Sequence, residues 1–395
     1  MQITSGLPEG FNAGAYDMIV VGAGYAGAVC ARRLAETIGY RVAVLERRSH
    51  IAGNAYDCTD EAGILIHEYG PHIYHTFNER VHNFLSRFTK WTDYQHKVLA
   101  NINGTLMPVP FNHASLKLAF GDERGEELYQ KLVETFGKDV KVPIMELRKK
   151  NDPDLAEVAD YVYENVFLHY TMKQWGQTPE EIDPNTTARV PVFLSRDDRY
   201  FQDAYQGMPL EGYTVLFQRM LDHPGITVEL GTDALKRLDL SEGRICLDGA
   251  EFSGPVIYTG QADELFAFRF GPLPYRTLDF RFETLAQDDF QGCGTVNYTV
   301  DEDYTRITEF KHLTGQVKPG VTTIVKEYSR AFTGAPGETP YYAIINPEND
   351  RRYAQYRAEA ERFPNLHLLG RLAEYKYYNM DAIAARALEL AGLLT

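Results

Sequence analysis

Along the chain, the spacing of apolar residues changes three times. Residues 17 to 46 read as strand, glycine turn, helix and strand: Met18 to Val21 is an apolar run, Ala28, Ala31, Leu34 and Ala35 recur at helical spacing, and Val42 to Leu45 is a second apolar run. That order predicts a βαβ unit on a parallel sheet. From about 112 to 188 the period is helical. Asn112 is placed to cap a helix over 114–120, and Asp152 followed by Pro153 opens another with Leu155, Val158, Ala159, Val162 and Val166 on one face. Gly176, Pro179 and Pro184 interrupt it, so Tyr170 to Asn185 is expected to be a loop, of a length usually reserved for function or disorder. From about 266 to 345 the pattern alternates and is rich in β-branched residues, as in 276–282, 293–300 and 322–328, predicting an antiparallel sheet. Val256 to Gly260 and Leu366 to Gly370 read as two further strands of the first domain. No repeat or low-complexity tract interrupts these textures.

The 395 residues suffice for one to three compact units. Forty Lys and Arg against 55 Asp and Glu leave a net charge of −15, which excludes overall attraction to nucleic acid or an anionic membrane and requires local cations to hold any anionic ligand. The four cysteines form no CxxC or zinc spacing, so neither a disulfide framework nor a zinc site is expected, and a reducing cytoplasm fits. No run approaches the roughly 18 apolar residues of a membrane span, and Met1 to Ala15 reads as a frayed polar tail without a signal-peptide pattern. The 26 tyrosines beside two tryptophans suit a pocket that stacks rings and hydrogen-bonds phosphates, although tyrosine is also ordinary strand and interface filler.

Candidate chemistry begins at Gly22-Ala-Gly24-Tyr-Ala-Gly27, which follows a predicted strand and opens a predicted helix, with Glu46 closing the next strand. Gly22 permits the tight turn, Gly24 lets the backbone approach a pyrophosphate, Gly27 allows close helix packing, and Glu46 accepts from ribose hydroxyls. An acid at that point disfavours a 2′-phosphate, although Arg47 and Arg48 follow directly. The segment from Glu46 to Ala55, the strand 256–260 and Gly370-Arg371 resemble, in the same order, three landmarks of the glutathione-reductase-like flavoproteins, which points to FAD rather than NAD.

Further segments resemble the bacterial UDP-galactopyranose mutase family. They include Ile51 to Ala55, Tyr69-Gly-Pro-His72-Ile-Tyr-His75, Pro110 to Asn112, and Tyr170-Thr-Met-Lys-Gln-Trp175-Gly. Others are Ala188-Arg189-Val-Pro, Tyr205-Gln-Gly207, Gly212-Tyr-Thr, Tyr304-Thr-Arg306-Ile, Lys326-Glu-Tyr328, Pro340-Tyr-Tyr342 and Gly370 to Met380. The resemblance covers 17 to about 385. It implies an α/β fold: a Rossmann-like FAD-binding domain from 15–93, 205–265 and 365–395, with an inserted helical domain and an antiparallel β-sheet domain. The helical domain would span 112–188 with a mobile substrate loop at about 170–185, and the sheet domain, six-stranded in the family, 94–111, 189–204 and 266–364. It further implies interconversion of UDP-galactose and UDP-galactofuranose for cell-surface polysaccharide, on FAD that must be reduced by a cellular donor such as NADPH or NADH, in a cytoplasmic homodimer with neither nucleic-acid nor membrane partners.

By the same resemblance Arg189 and Arg306 bracket the diphosphate, as bidentate guanidinium groups suit it. Tyr200, Tyr342 and Tyr377 reach the phosphates, Phe167 and Tyr170 surround the uracil, Trp175 sits on the loop, and Arg371 lies near both flavin and substrate. His72 contacts the flavin and could move a proton during ring opening; His72 and His75 are three apart, but no third ligand makes them a metal pair. With Gly22, Gly24, Gly27 and Glu46, the expected cofactor contacts are Arg47, Asn54, Ala55, His72, Gly370, Arg371, Tyr378, Asn379 and Met380. Two positions depart from the family pattern: Ala52 stands where glycine is usual, and Asn379 where aspartate is common. The rival readings are a flavin oxidase or dehydrogenase of the same fold, which would not need Arg189 and Arg306 on a pyrophosphate, and a non-catalytic flavin module, which would not need the uridine-stacking set.

Overall fold

The computed structural model describes residues 2–5, 12–176, 178 and 191–395. At its centre is a six-stranded parallel sheet in the order Gln2–Ser5, Ile226–Leu230, Val42–Leu45, Met18–Val21, Val256–Tyr258, Leu366–Leu368. The short apolar runs are buried on both faces, as parallel strands covered by crossovers must be. On one face the helix Tyr25–Thr37 packs against the helix Met380–Leu393. Ala28, Ala31 and Ala35 meet a final helix whose Ala384, Ala387 and Ala391 are equally small and buried, which lets the two backbones approach closely. The other face is covered by Pro347–Ala360 and by the small sheet of Leu238–Ser241, Arg244–Leu247 and Ala250–Glu251, around Ile245, Leu247 and Tyr356.

The expected tail is not frayed throughout, because Gln2–Ser5 is the outermost strand of this sheet, paired in parallel with Ile226–Leu230. An exposed sheet edge offers unpaired backbone groups that a short polar segment can satisfy regardless of side-chain pattern, and this is why periodicity did not reveal it.

The second sheet has seven strands rather than six: Tyr342–Ala343, Tyr275–Leu285, Thr322–Ala331, Arg306–Glu309, Thr295–Tyr298, Val98–Ile102 and Thr105–Val109, in that order. It is antiparallel except at one seam, where Thr295–Tyr298 runs parallel to Val98–Ile102. The last two strands turn at Asn103 and Gly104, with φ of +51° and +87°, as a two-residue hairpin requires.

Asn112 and Asp152 cap their helices as the residue types demand, accepting from the N–H of Ser115 and from those of Asp154 and Leu155. Pro191–Phe193 pairs with Lys141–Pro143 beside the helices, so this part of 189–204 does not join the large sheet. The expected loop also begins later: after Pro153–Val162 the chain passes through a π-helical segment, Tyr163–Leu168, into a helix His169–Trp175 that stops at Gly176 with φ +63°. No breaker precedes Gly176, so the helix ends where glycine can turn left-handed. The remainder of that loop, 179–185, lies outside the described residues, as does Arg189.

Candidate functional site

A cavity of about 270 Å³ opens at the carboxyl ends of the central strands, bounded by Val21, Leu45, Tyr258 and Gly370. Its floor is the glycine turn. Gly22 has φ +104°, and a Cβ there would lie 2.1 Å from the Thr259 hydroxyl oxygen, which itself donates to the Val21 carbonyl at 2.6 Å. A Cβ on Gly27 would fall 2.0 Å from the Gly22 carbonyl oxygen and 2.8 Å from Val20 Cγ1, so Gly27 serves packing and does not line the cavity. Gly24 caps the helix Tyr25–Thr37 with no side chain, which leaves the first-turn N–H groups for an anion. Gly53 crosses it so closely that a Cβ would sit 2.9 Å from Gly24 Cα. The cradle therefore exists only because side chains are missing, and a diphosphate fits it.

Glu46 is buried on the rim, its carboxylate accepting from the N–H groups of Ala23 and Arg48, both at 2.8 Å. Four lone-pair directions leave capacity for a ribose hydroxyl. Arg47 lines the cavity while paired with Glu264 at 3.0 Å. Asn54, Ala55, His72, Gly370, Arg371, Tyr378 and Met380 also line it. Asn379 does not: it is exposed at the start of the last helix. Arg48 was not anticipated as a contact; it stacks over Tyr69 at 4.2 Å and donates to Asn54 Oδ1 at 2.9 Å, so it holds the turn that carries Asn54 and Ala55. Its signal was its place beside Glu46. Ala52 holds φ +75°, a left-handed conformation that costs a non-glycine residue about 1–2 kcal/mol.

The His72 Nδ1 lies 2.8 Å from the Gly70 carbonyl, so the neutral ring carries its proton on Nδ1 and leaves Nε2 as an acceptor. His75 instead stacks on Phe201 and faces Asp203 at 3.2 Å, so the two histidines do not converge. Burial holds His72 down to about 3, His67 to about 4 and His96 to about 3. The unfolded chain binds these protons as pH falls below about 6.5, and the fold does not until near 3–4, so the unfolded state gains protons first and stability falls with pH across that window. Thermal melts of the flavin-loaded protein should show a clearly lower Tm at about pH 5 than at about pH 7. An unchanged Tm across that range would contradict neutral buried imidazoles.

The second group of side chains converges where the helix His169–Trp175 meets the seven-stranded sheet. Arg306 Nη2 donates to the Tyr170 hydroxyl at 3.2 Å, and Arg306 Nε stands 3.6 Å from Glu327 on the neighbouring strand. Burial pushes the Glu327 carboxyl up, and the guanidinium opposes that shift. Tyr342 packs against Trp175 at 5.8 Å and stacks with Tyr377 at 6.0 Å. The Arg371 guanidinium lies over both tyrosines, 5.7 and 4.9 Å from the ring centres. Arg371 also lines the cavity and therefore joins the two groups. Tyr200 packs edge-on against His96, whose ring feels the Arg306 charge. Phe167 is not brought to this cleft: it is fully buried in the helical core against Tyr163.

Residues 165–377 match the UDP-galactopyranose mutase family, and residues 20–88 match the NAD(P)-binding Rossmann-like domain. The chain belongs to the UDP-galactopyranose mutase family. It is 36% identical to a probable UDP-galactopyranose mutase of Klebsiella pneumoniae over 95% of this chain and 94% of that one. It is also 35% identical to a dTDP-fucopyranose mutase of Escherichia coli, over 95% and 97% of the two chains. A crystal structure of reduced UDP-galactopyranose mutase shares the fold, with a TM-score of 0.69 at 16% identity, covering 95% of this chain and 93% of that one. Membership makes the protein an isomerase, and family and fold together imply a flavin cofactor. Among the described residues no helix is long and apolar enough to cross a membrane.

Proposed function

We propose that the protein interconverts UDP-galactopyranose and UDP-galactofuranose with FAD, kept reduced, in the glycine-floored cavity. The observation that carries this reading is Arg371, which lines the cavity and lies over Tyr342 and Tyr377, so that a ring-stacking, cationic cleft opens onto the cofactor site. Gly22, Gly24, Glu46, Arg48 and Asn54 would hold the FAD, with its pyrophosphate at the helix N-terminus. Bound and reduced, the flavin would supply a nucleophile for sugar C1.

What this chain must add is binding and charge. Breaking the C1–O bond leaves a diphosphate whose negative charge grows, and a guanidinium already fixed in place stabilises that charge without reorganising. Arg306 is so fixed by Tyr170 in front and Glu327 behind. By the family resemblance, Arg189 would be the second guanidinium on the diphosphate. Tyr342 and Tyr377 offer hydroxyls to the phosphates, and Tyr170 and Trp175 offer faces to the base. With its proton held on Nδ1 by Gly70, His72 would act on the opening sugar as an acceptor at Nε2 and not as an acid.

The test is incubation with UDP-galactose and dithionite, with the furanose product separated and quantified. Turnover should be negligible before reduction; equal turnover with oxidised FAD would defeat the proposal. The similarity to a dTDP-fucopyranose mutase makes dTDP-fucose the competing substrate, and a higher kcat/KM for it would reassign the sugar and base while leaving the diphosphate chemistry intact.

A further inference from the structure

Lys173 lies on the helix His169–Trp175, three residues beyond Tyr170 and two before Trp175. Its ammonium donates to the carbonyls of Tyr298 at 2.7 Å, Glu302 at 2.8 Å and Tyr304 at 3.4 Å. An ammonium has three protons and no lone pair, so this acceptor set saturates it. Glu302 and Tyr304 belong to the 299–305 link between the strands Thr295–Tyr298 and Arg306–Glu309, and Tyr298 is the strand residue from which that link departs. Burial holds the lysine's pKa down, and the negative charge of Glu302, Asp301 and Asp303 offsets part of that cost. Attraction to those carboxylates alone would be satisfied by any cation nearby. Donation to three backbone oxygens is different, because it fixes where the turn's backbone lies.

The turn ends at Arg306, and the helix carries the Tyr170 hydroxyl that Arg306 contacts. From the sheet side Arg276 donates to the carbonyls of Lys173 and Gln174, both at 3.1 Å, and Ser329 donates to that of Gln174 at 2.6 Å. The helix end is thus tied to two separate parts of the sheet, and Lys173 adds to the Tyr170–Arg306 contact a backbone tie to the part that bears Arg306.

We propose that Lys173 is a positioning residue of the mutase site: it locks the 299–305 turn to the helix and thereby sets the spacing between Arg306 on the sheet and Tyr170 and Trp175 on the helix. The sugar nucleotide lies between those groups, so the inference rests on the function proposed above. Lys173 itself does not touch the ligand.

The experiment uses the flavin-loaded Lys173→Met variant, which keeps the length of the side chain and removes every donor. UDP affinity should fall about tenfold and kcat about a hundredfold, as a misplacement of roughly 1 Å at a clamp costs. FAD content should equal that of the parent. In a Trp91→Phe background Trp175 is the only tryptophan, and its emission in the absence of UDP should shift to longer wavelength in the lysine variant as the helix end loosens. Lys173→Arg, which retains charge and donors, should recover part of both losses. Unchanged UDP affinity, with or without an emission shift, would overturn the proposal. So would weakened affinity with unchanged emission, which would mean direct contact with the ligand. If Lys173→Met fails to retain FAD, Lys173→Gln with its two donors carries the same readouts and the same criteria. Failure of the parent itself to bind UDP would instead refute the proposed function.

Discussion

An Arg306→Ala variant is expected to lose about 10²–10³-fold in kcat while retaining its flavin, the usual cost of deleting one fixed donor from a developing anion. The guanidinium is oriented before any ligand arrives, by the Tyr170 hydroxyl at 3.2 Å and by Glu327 at 3.6 Å, so alanine removes a preorganised charge and not a side chain that searches for its partner. Stability should change less than the loss of a buried ion pair would suggest. Glu327, whose carboxyl is already pushed up by burial, can take a proton when its partner is gone. Arg306→Lys keeps the charge but not the planar fork, and should recover only part of the rate. Steady-state kinetics with UDP-galactose separates the outcomes. A rise in KM with kcat intact would mean that Arg306 binds ground state and transition state alike.

Gly22→Ala should yield protein that purifies almost without bound FAD. Two independent costs fall on this methyl: the residue sits at φ +104°, and the Cβ would lie 2.1 Å from the Thr259 oxygen, far inside contact distance. Backbone strain of about 1–3 kcal/mol and overpacking of a similar size together exceed what a cofactor cradle can absorb without moving. Thr259 cannot simply swing away, because its hydroxyl is donated to the Val21 carbonyl on the adjacent strand. Adding Thr259→Ala removes the collision but not the strain, so the double variant should recover part of the flavin occupancy. Flavin absorbance per protein measures all three. Full occupancy in Gly22→Ala would show that the turn does not approach the cofactor.

The cofactor half of the site was readable from local pattern because its requirements are local. A strand, three glycines, a helix and an acid in register state both the backbone angles and the uncapped helix end, and the structure puts Gly22, Gly24 and Glu46 around one cavity, together with Asn54, His72, Gly370 and Arg371, which only the family resemblance had named. The same logic explains why Asn112 and Asp152 were identified as caps: a side-chain oxygen bonding N–H groups two or three residues onward is legible within a few positions.

The substrate half obeys a different logic. Tyr170 and Arg306 are 136 residues apart, Lys173 and Tyr298 are 125 apart, and Arg276 and Gln174 are 102 apart. No periodicity records such pairings; residues were anticipated there only through family motifs, in which Lys173 stood without an assigned role and Arg276 did not appear. Phe167 shows the converse, since the family resemblance assigned it to the uracil whereas its ring is buried in the helical core. Backbone geometry that each residue imposes on its neighbours, the glycine cradle and the helix caps, is written in short stretches of chain. The outer strand Gln2–Ser5, the seventh strand of the large sheet and the clamp between helix and sheet depend on distant segments satisfying one another's hydrogen bonds and charges, and those partners exist only once the chain has folded.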